Sequence, residues 1–374
     1  MIRLAKSCLS EAEKAAVLGV LDREYLGMGA EVQSFEQALA AYLNRQAVCV
    51  STGTGALHLA LQAIGCKPHH EVLVQSLTFV ASFQAIAATG ATPVSCDILP
   101  ETLTIDLADA EKRLTERTIA IMPVHYSGGV GNLDEVYAFA ARHKLRVVED
   151  ASHAFGTIYQ GRPVGSFGDI ACFSFDGIKN ITSGEGGAII SADADVLRRV
   201  QDARLLGVEN DTVMRYAGAR SWKFDVHEQG WRYHMSNIMA AIGIEQLKRF
   251  PELSRIRQER ARHYQKRLAE CGALRLLAID YTTVVPHIFP VRLLLHEPPR
   301  HSRETLQAKL NEAGIQTGFH YLPNHTLSLF RTDYCLPTTE MIFPQLLTLP
   351  LHPDLTTEQV DFICDTLLRE LRTS

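Results

Sequence analysis

The feature that most constrains the fold of this chain is a regular alternation of strand-like and helix-like segments. The strand-like segments are AVCVS (47–51), EVLVQS (71–76), TPVSCDI, TIAIMPVH (118–125) and LRVVED (145–150). The helix-like segments between them are GALHLALQAIG, FVASFQAIAATG and LDEVYAFAARHK. Strands that alternate with helices form βαβ units, whose strands are parallel. The pattern therefore predicts an α/β fold with a mainly parallel central sheet flanked by helices.

The pattern changes beyond about residue 190. IACFSF and GGAIIS still predict two further strands, but helical and polar segments follow, including a helix pattern from about 236 to 270 with Pro251 as a candidate break. The last hundred residues mix strand-like HIFPVRLLL with helical SRETLQAKLNEAG and a terminal helix from Thr357. We therefore predict a large domain over 1–245 and a smaller C-terminal α+β domain over 246–374.

Composition excludes several classes of function. The chain has 374 residues, of which 46% are apolar, and a net charge of −5, which favours neither a nucleic-acid nor a membrane-surface partner. It contains no long apolar span and no signal-peptide pattern. Its 8 cysteines are scattered without a C-x-x-C, so we expect free thiols in the cytoplasm and no metal centre. A soluble cytoplasmic protein is predicted.

STGTGALHLAL (51–61) is a candidate anion site. A strand ends there, a short glycine-rich turn follows, and a helix is predicted to begin at about Thr54. Free N–H groups at a helix start, together with the helix dipole, favour a phosphate. The alternative is a well-capped helix after a tight turn. The segment has neither the G-K-[ST] end of a P-loop nor G-x-G-x-x-G, so a nucleoside triphosphatase or a dinucleotide enzyme is poorly supported.

LRVVEDASHAFG (145–156) places an acid at the carboxyl end of a strand, where open α/β sheets hold their ligands. Asp150 could hold a cation such as a protonated ring nitrogen, or it could cap the next segment. His153 could bind a metal, but no second ligand lies at helical spacing, so metal is the weaker interpretation.

FSFDGIKN (173–180) places Ser174 and Lys179 at and just beyond a strand end. A lysine beside apolar walls loses proton affinity and can then bond a carbonyl carbon, although most turn lysines are simply solvated. A phosphate cradle, an acid for a ring nitrogen, a hydroxyl and a lysine in this order are what pyridoxal 5'-phosphate needs. The combination therefore predicts that cofactor.

The sequence resembles the DegT/DnrJ/EryC1/StrS sugar aminotransferases, which are fold-type I pyridoxal-phosphate enzymes. The resemblance covers nearly the whole chain and rests on six ordered motifs, namely LGMGAEVQSFEQALAAYL, STGTGALHLAL, VEDASHAFG, GSFGDIACFSFDGIKNITSGEGGAI, YHMSNIMAAIGIEQL and GIQTGFHYLPNH. It implies the two-domain fold of that group.

The resemblance also implies residue roles. Lys179 matches the lysine that bonds the cofactor aldehyde and then shuttles a proton, and Asp150 matches the partner of the pyridine nitrogen. The remaining cofactor contacts that it implies are His153 on the O3′ side, Phe79 stacked on the ring, and Gly53, Thr54, Ser174 and Asn237 at the phosphate. Because Asn237 matches a contact from the neighbouring subunit, a homodimer with shared sites is implied.

By resemblance, L-glutamate donates an amino group to a nucleotide-linked keto sugar. The FDGIKNITSGEGG segment favours amination at C4 of a dTDP- or GDP-linked 4-keto-6-deoxyhexose, with C3 amination as the alternative. Dehydrases of the family replace the lysine with histidine, whereas this chain keeps Lys179. A non-catalytic regulator on the same fold is the other alternative. Candidate substrate contacts are Arg220, Trp222, Arg232, His320 and His325. The alternative for the two histidines is that they stabilise their loop, and the alternative for the arginines is that they join subunits.

Overall fold

A computed structural model of the chain describes residues 1–294 and 302–372. Its strands are β1 Gln46–Val50, β2 Glu71–Gln75, β3 Thr92–Cys96, β4 Thr118–Met122, β5 Arg146–Asp150, β6 Ile158–Tyr159, β7 Arg162–Pro163, β8 Ile170–Ser174, β9 Gly187–Ser191, β10 Leu274–Leu276, β11 Phe289–Leu293 and β12 Leu346–Leu349.

The helices lie between and after these strands. They are α1 Glu11–Asp22, α2 Ala30–Leu43, α3 Gly53–Ala63, α4 Val80–Ala88, α5 Leu107–Lys112, α6 Leu133–His143, α7 Ala194–Ala203, α8 Asp211–Tyr216, α9 Asn237–Leu268, α10 Arg303–Glu312, α11 Pro337–Ile342 and α12 Thr357–Arg372. Single 3₁₀ turns occur at Tyr126–Gly128, Asn324–Thr326 and Phe343–Gln345.

The central sheet has seven strands in the order β1-β9-β8-β5-β4-β2-β3. All pairs from β8 to β3 are parallel, which confirms the predicted α/β class. Only β9 runs against its neighbours β1 and β8. The link from β8 to β9 contains no helix, and a parallel crossover needs one, so β9 returns in the antiparallel direction.

Helices cover both faces of this sheet. Successive residues of a strand point to opposite faces, and in β5 Val147 packs into one apolar cluster while Val148 packs into another. Phe35 of α2 lies in the first cluster, and Leu57 of α3 lies in the second. Strands buried on both faces explain why the sheet segments are nearly continuous apolar runs in the sequence.

A third apolar cluster surrounds the antiparallel sheet β10-β11-β12 near the C-terminus. The helix α9 joins it to the large sheet, because Phe250 packs in the first cluster and Tyr264 in the third. This helix continues through Pro251, so the candidate break does not occur, and it also spans position 245, where we predicted the domain boundary. In the described part of the chain, no helix combines the length and apolarity needed to cross a bilayer.

Candidate active site

A cavity lies at the carboxyl ends of β5 and β8 and at the start of α3. Its volume is about 620 Å³, which is within the usual range for small-molecule sites. The side chains that line it are those of Thr52, Thr54, Leu57, Thr78, Phe79, Ala81, Val124, Asp150, Ser152, His153, Ser174, Asp176, Ile178, Lys179, Glu185, His287, His320 and Tyr321, together with the backbone of Gly53. The strand ends and the helix start that the sequence singled out therefore meet in one place.

The start of α3 forms one wall of the cavity. Thr52 caps this helix, and its hydroxyl accepts a hydrogen bond from the amide of Gly55 at 2.9 Å. Gly53 is the first helical residue, one position before the predicted start. A Cβ on Gly53 would lie 2.7 Å from the Cβ of Ser174, so only glycine lets the helix start approach the end of β8 this closely. The free amides and the Ser174 hydroxyl together suit a phosphate.

Asp150 lies at the end of β5, only 5% exposed, with its carboxylate fixed by two serines. The Ser82 hydroxyl donates to Oδ2 at 2.7 Å, and the Ser152 hydroxyl donates to Oδ1 at 2.6 Å. Both carboxylate oxygens are therefore held in place by hydroxyl donors. Asp150 therefore presents a fixed negative charge to whatever occupies the cavity.

Lys179 extends into the same cavity from the loop after β8. Its amine lies 3.4 Å from Nε2 of His287, within hydrogen-bond distance. Burial lowers the pKa of the amine to about 8, although the carboxylates of Asp150 and Asp176 oppose that shift. A lysine with this pKa supplies the neutral amine that attack on a carbonyl requires.

Three histidines surround Lys179. Burial lowers the pKa of His153 and His287 well below the usual value, and the nearby Lys179 charge lowers both further. Burial also lowers the pKa of His320 to about 4. All three rings are therefore neutral at physiological pH. Nε2 of His153 lies 3.0 Å from the hydroxyl of Tyr321, which fixes the orientation of both rings.

Phe79 leaves an aromatic ring open to the cavity. It caps α4, is 56% exposed, and lies 5.5 Å from the ring of Tyr321 between centroids. A large apolar ring exposed inside a polar cavity is a natural surface for stacking a flat ligand.

Residues 7–368 match the DegT/DnrJ/EryC1/StrS aminotransferase family. The chain belongs to this family. Its relative MJ1066 from Methanocaldococcus jannaschii is 32% identical over 362 residues, which cover 95% of this chain and 94% of the relative. The family membership predicted from the sequence is therefore confirmed over almost the whole chain.

Solved structures share the fold. Spr1654 from Streptococcus pneumoniae, solved in its PLP form, is 28% identical, has a TM-score of 0.91, and covers 100% of this chain and 99% of its own. Helicobacter pylori PseC, an aminotransferase involved in the biosynthesis of pseudoaminic acid, is 27% identical, has a TM-score of 0.91, and covers 100% of both chains. With the family assignment, the PLP form of Spr1654 confirms pyridoxal phosphate as the cofactor.

The cavity of this DegT-family chain fits that cofactor. It combines a helix start with no room for a Cβ, a buried carboxylate, an exposed ring and a buried amine within one space. These groups match, in the same order, the phosphate, the ring nitrogen, the ring face and the aldehyde of the cofactor.

Five residues that were predicted from the sequence to be at the site do not line the cavity of this DegT-family chain. Asn237 is buried at the start of α9, where its amide donates to the carbonyl of Tyr25 at 3.0 Å. Arg220, Trp222 and Arg232 lie at the exposed surface. His325 is buried against Ser76 and Glu340. These contacts of His325 are those of a loop-stabilising residue, which was the stated alternative, and a substrate contact by it stays a prediction.

Other residues that line the cavity of this DegT-family chain were not predicted from the sequence. Tyr321 follows His320 directly, so its position in the same loop was a usable signal. The sequence contains no comparable signal for His287, because this residue is 108 residues from Lys179 and stands in a segment that resembles an ordinary strand. Asp176 and Glu185 flank the lysine loop, where acids are usually solvated.

Proposed function

We propose that this chain is a sugar aminotransferase that moves the amino group of L-glutamate to the keto carbon of a nucleotide-linked 4-keto-6-deoxyhexose. We propose C4 as the position and dTDP or GDP as the carrier, on the sequence resemblance. The observation that most supports transfer chemistry is the buried Lys179 amine beside the fixed Asp150 carboxylate in one cavity. By the same proposal the enzyme works in the cytoplasm.

Each wall of the cavity has a role in this proposal. The start of α3, with Gly53, Thr54 and the Ser174 hydroxyl, holds the cofactor phosphate. Asp150 keeps the ring nitrogen protonated, and Phe79 stacks on the ring. When bound, the cofactor supplies an electron-accepting ring and an aldehyde.

Two neutral imidazoles complete the wall. His153 contacts the ring hydroxyl side of the cofactor, and its bond to Tyr321 fixes its orientation. His320 lies at the cavity surface and hydrogen-bonds through Nδ1 to Thr348 at 2.9 Å, so we propose that it contacts the substrate.

Lys179 both bonds the cofactor and moves protons. With a pKa of about 8, roughly a tenth of its amines are neutral at pH 7, against fewer than about one in a thousand for an ordinary lysine. A neutral Nζ can take a proton from the substrate carbon, and the resulting ammonium can return one. The nearby imidazoles stay neutral and do not compete as cations.

The few cationic side chains among the described residues that line the cavity support an active site that two copies of the chain share. Its lining includes Asp150, Asp176 and Glu185 but, among the described residues, only Lys179 as a lysine and no arginine. Glutamate and a nucleoside diphosphate are anions and need cations nearby. We therefore propose that a second copy supplies Asn237 to the phosphate, and Arg220 and Arg232 to the substrates. Trp222, in the same segment as Arg220, is 87% exposed, as expected of a surface covered by a partner.

The function is tested by incubating purified enzyme with glutamate and a panel of dTDP-, GDP- and UDP-linked keto sugars. Mass spectrometry should detect an amino sugar and 2-oxoglutarate, and proton NMR of the product should place the amine at C4. An amine at C3 would support the C3 alternative. A deoxy product would support a dehydrase, and protein that stays colourless after addition of the cofactor would support a regulator.

A further inference from the structure

Arg257 is a fully buried arginine behind the loop that bears Lys179. It extends from α9 and is 1% exposed. Nη2 donates to the carbonyl oxygens of Lys179 at 3.3 Å and Ile178 at 3.4 Å. Nη1 donates to the carbonyl oxygens of His287 at 3.3 Å and Leu351 at 3.4 Å. One guanidinium therefore joins the backbone of the lysine loop to the backbone that carries His287.

No carboxylate balances this charge within the residues that the structure describes, and its hydrogen-bond acceptors there are backbone carbonyls. A buried charge without an opposite charge lowers the stability of the fold. The position of Arg257 is therefore explained by what it holds, which is the backbone on both sides of the Lys179–His287 contact.

His287 is the side chain that meets the lysine amine. It lies just before β11 and is 2% exposed, and its Nε2 is 3.4 Å from Nζ of Lys179. Its ring packs against that of His153 at 4.5 Å between centroids, and its amide donates to the carbonyl of Ser127 at 3.3 Å. The imidazole is thus held in place from several sides and can hold the amine in turn.

We propose that Arg257 and His287 are positioning residues for Lys179: the guanidinium fixes both backbones, and the imidazole holds the amine toward the cavity whenever it is not bonded to the cofactor. The inference deepens the proposed function and rests on its assignment of Lys179. When Nζ bonds the aldehyde carbon, one water leaves, and a held amine needs no rearrangement before this step.

The charged groups around Lys179 predict the direction in which its pKa changes when one of them is replaced. The groups that face it are Asp150 and His153 from the end of β5 and its loop, Asp176 from its own loop, Arg257 from α9, His287 before β11, and His320. Burial lowers the pKa of the amine, the two carboxylates raise it, and Arg257 lowers it. Burial lowers the pKa of Arg257 itself to about 10, so it stays charged at neutral pH.

The role of Arg257 is tested on the full-length chain freed of cofactor, by the rate at which acetic anhydride modifies Lys179. Mass spectrometry follows the Lys179 peptide over a range of pH, with exposed Lys266 as the internal reference. The wild type should show a midpoint near the pKa of about 8. Arg257→Met removes the like charge, so the midpoint should rise by about one unit and modification at pH 7 should slow about tenfold. Arg257→Lys keeps the charge and should restore the midpoint.

Arg204→Lys is the matched control. Arg204 is also fully buried, but it pairs with Glu36 and does not line the cavity. The control should keep the wild-type midpoint. The role of Arg257 would be overturned if Lys179 of Arg257→Met were modified with the wild-type midpoint. It would also be overturned if Arg204→Lys shifted this midpoint as far as Arg257→Met does.

His287 is tested by how fast added pyridoxal phosphate attaches to the same chain, followed by visible absorbance. His287→Phe removes Nε2 without a change of charge, so attachment should slow by about tenfold with no shift of the Lys179 midpoint. His287→Gln can place an amide where Nε2 lies and should recover part of the rate. If His287→Phe attaches cofactor at the wild-type rate, or if the two variants are equally slow, the role is wrong.

The underlying assignment is tested separately. Borohydride reduction of the wild-type holoenzyme should fix the cofactor to Lys179, as found by peptide mass. If another residue is labelled, the proposed function of Lys179 fails, whereas the acetylation midpoints still report whether Arg257 acts on its amine.

Discussion

Asp150 and Lys179 act on each other as well as on the cofactor. Both are buried at the same cavity, and the Asp150 charge raises the pKa of the lysine amine against the effect of burial. Arg257 acts on the same amine in the opposite direction. The pKa of the amine therefore depends on three charges of known sign, those of Asp150, Asp176 and Arg257. Each of these charges can be removed singly by substitution.

Asp150→Asn removes the negative charge of this side chain while it keeps nearly the same shape. The cofactor should still attach, but glutamate should convert it about 100-fold more slowly or worse, because the ring nitrogen loses its counter-charge. The pKa of Lys179 should fall below about 8, opposite to the rise in Arg257→Met. Stopped-flow absorbance measures the conversion. Asp176→Asn should lower the same pKa yet slow conversion far less, and an Asp150→Asn enzyme with wild-type conversion would contradict the assignment.

The site residues that could be predicted from the sequence are those that stand beside a recognisable strand or helix pattern. Gly53, Asp150, Ser174 and Lys179 each stand at a strand end or a helix start, and they do line the cavity. Arg257 could not be found in this way, because it stands in the charged stretch SRIRQERARHY, where an arginine is expected at a solvated helix surface. Only the packing of α9 against the lysine loop buries it.

Among the elements, α3 has the most direct link to function, because its first turn is part of the cavity wall. Thr52→Ala removes the cap of this helix, so the free energy of unfolding should fall by about 1 kcal/mol. Cofactor affinity should fall as well, because the first turn is then less ordered. Denaturant unfolding and absorbance titration measure the two. Thr52→Ser keeps the hydroxyl and should behave as wild type; an equal loss in both variants would show that the cap is not the cause.

The elements that the sequence predicted best are those with a local period. The βαβ segments predicted the parallel strands, and GALHLALQAIG predicted α3 to within two residues at each end. The direction of β9 follows from its helix-free link to β8, whereas the continuation of α9 through Pro251 depends on tertiary packing. Helix α9 is packed against α1, α2 and α12, and such packing outweighs the local cost of one missing N–H.

In the whole molecule, the proposal that two copies form a dimer with shared sites makes a testable prediction. Mixing Lys179→Ala with Asn237→Ala chains tests it, because in a mixed dimer one site then contains both intact residues. Activity should recover to about a quarter of wild type, since half of the dimers are mixed and each has one good site. Mixing Lys179→Ala with Asp150→Ala should recover nothing, because both residues line the same wall. Equal results from the two mixtures would argue against shared sites.

The division of the chain into a large domain over 1–245 and a small one over 246–374 stays a proposal at this scale. Helix α9 spans the proposed boundary, and its two halves pack in different apolar clusters. The sequence could not locate the boundary more sharply, because one continuous helix belongs to both parts.

We propose that Lys179 moves the protons that are needed when the amino group of glutamate passes to the sugar. The most direct test supplies ¹⁵N-labelled glutamate and the keto sugar accepted best in the panel, and then measures ¹⁵N in the sugar by mass spectrometry. Wild-type enzyme should place the label in the sugar over many turnovers, and Lys179→Ala should place none beyond a single turnover. Label in the sugar at full rate from Lys179→Ala would contradict the proposed role of Lys179, and a sugar product without ¹⁵N from the wild type would contradict transamination from glutamate.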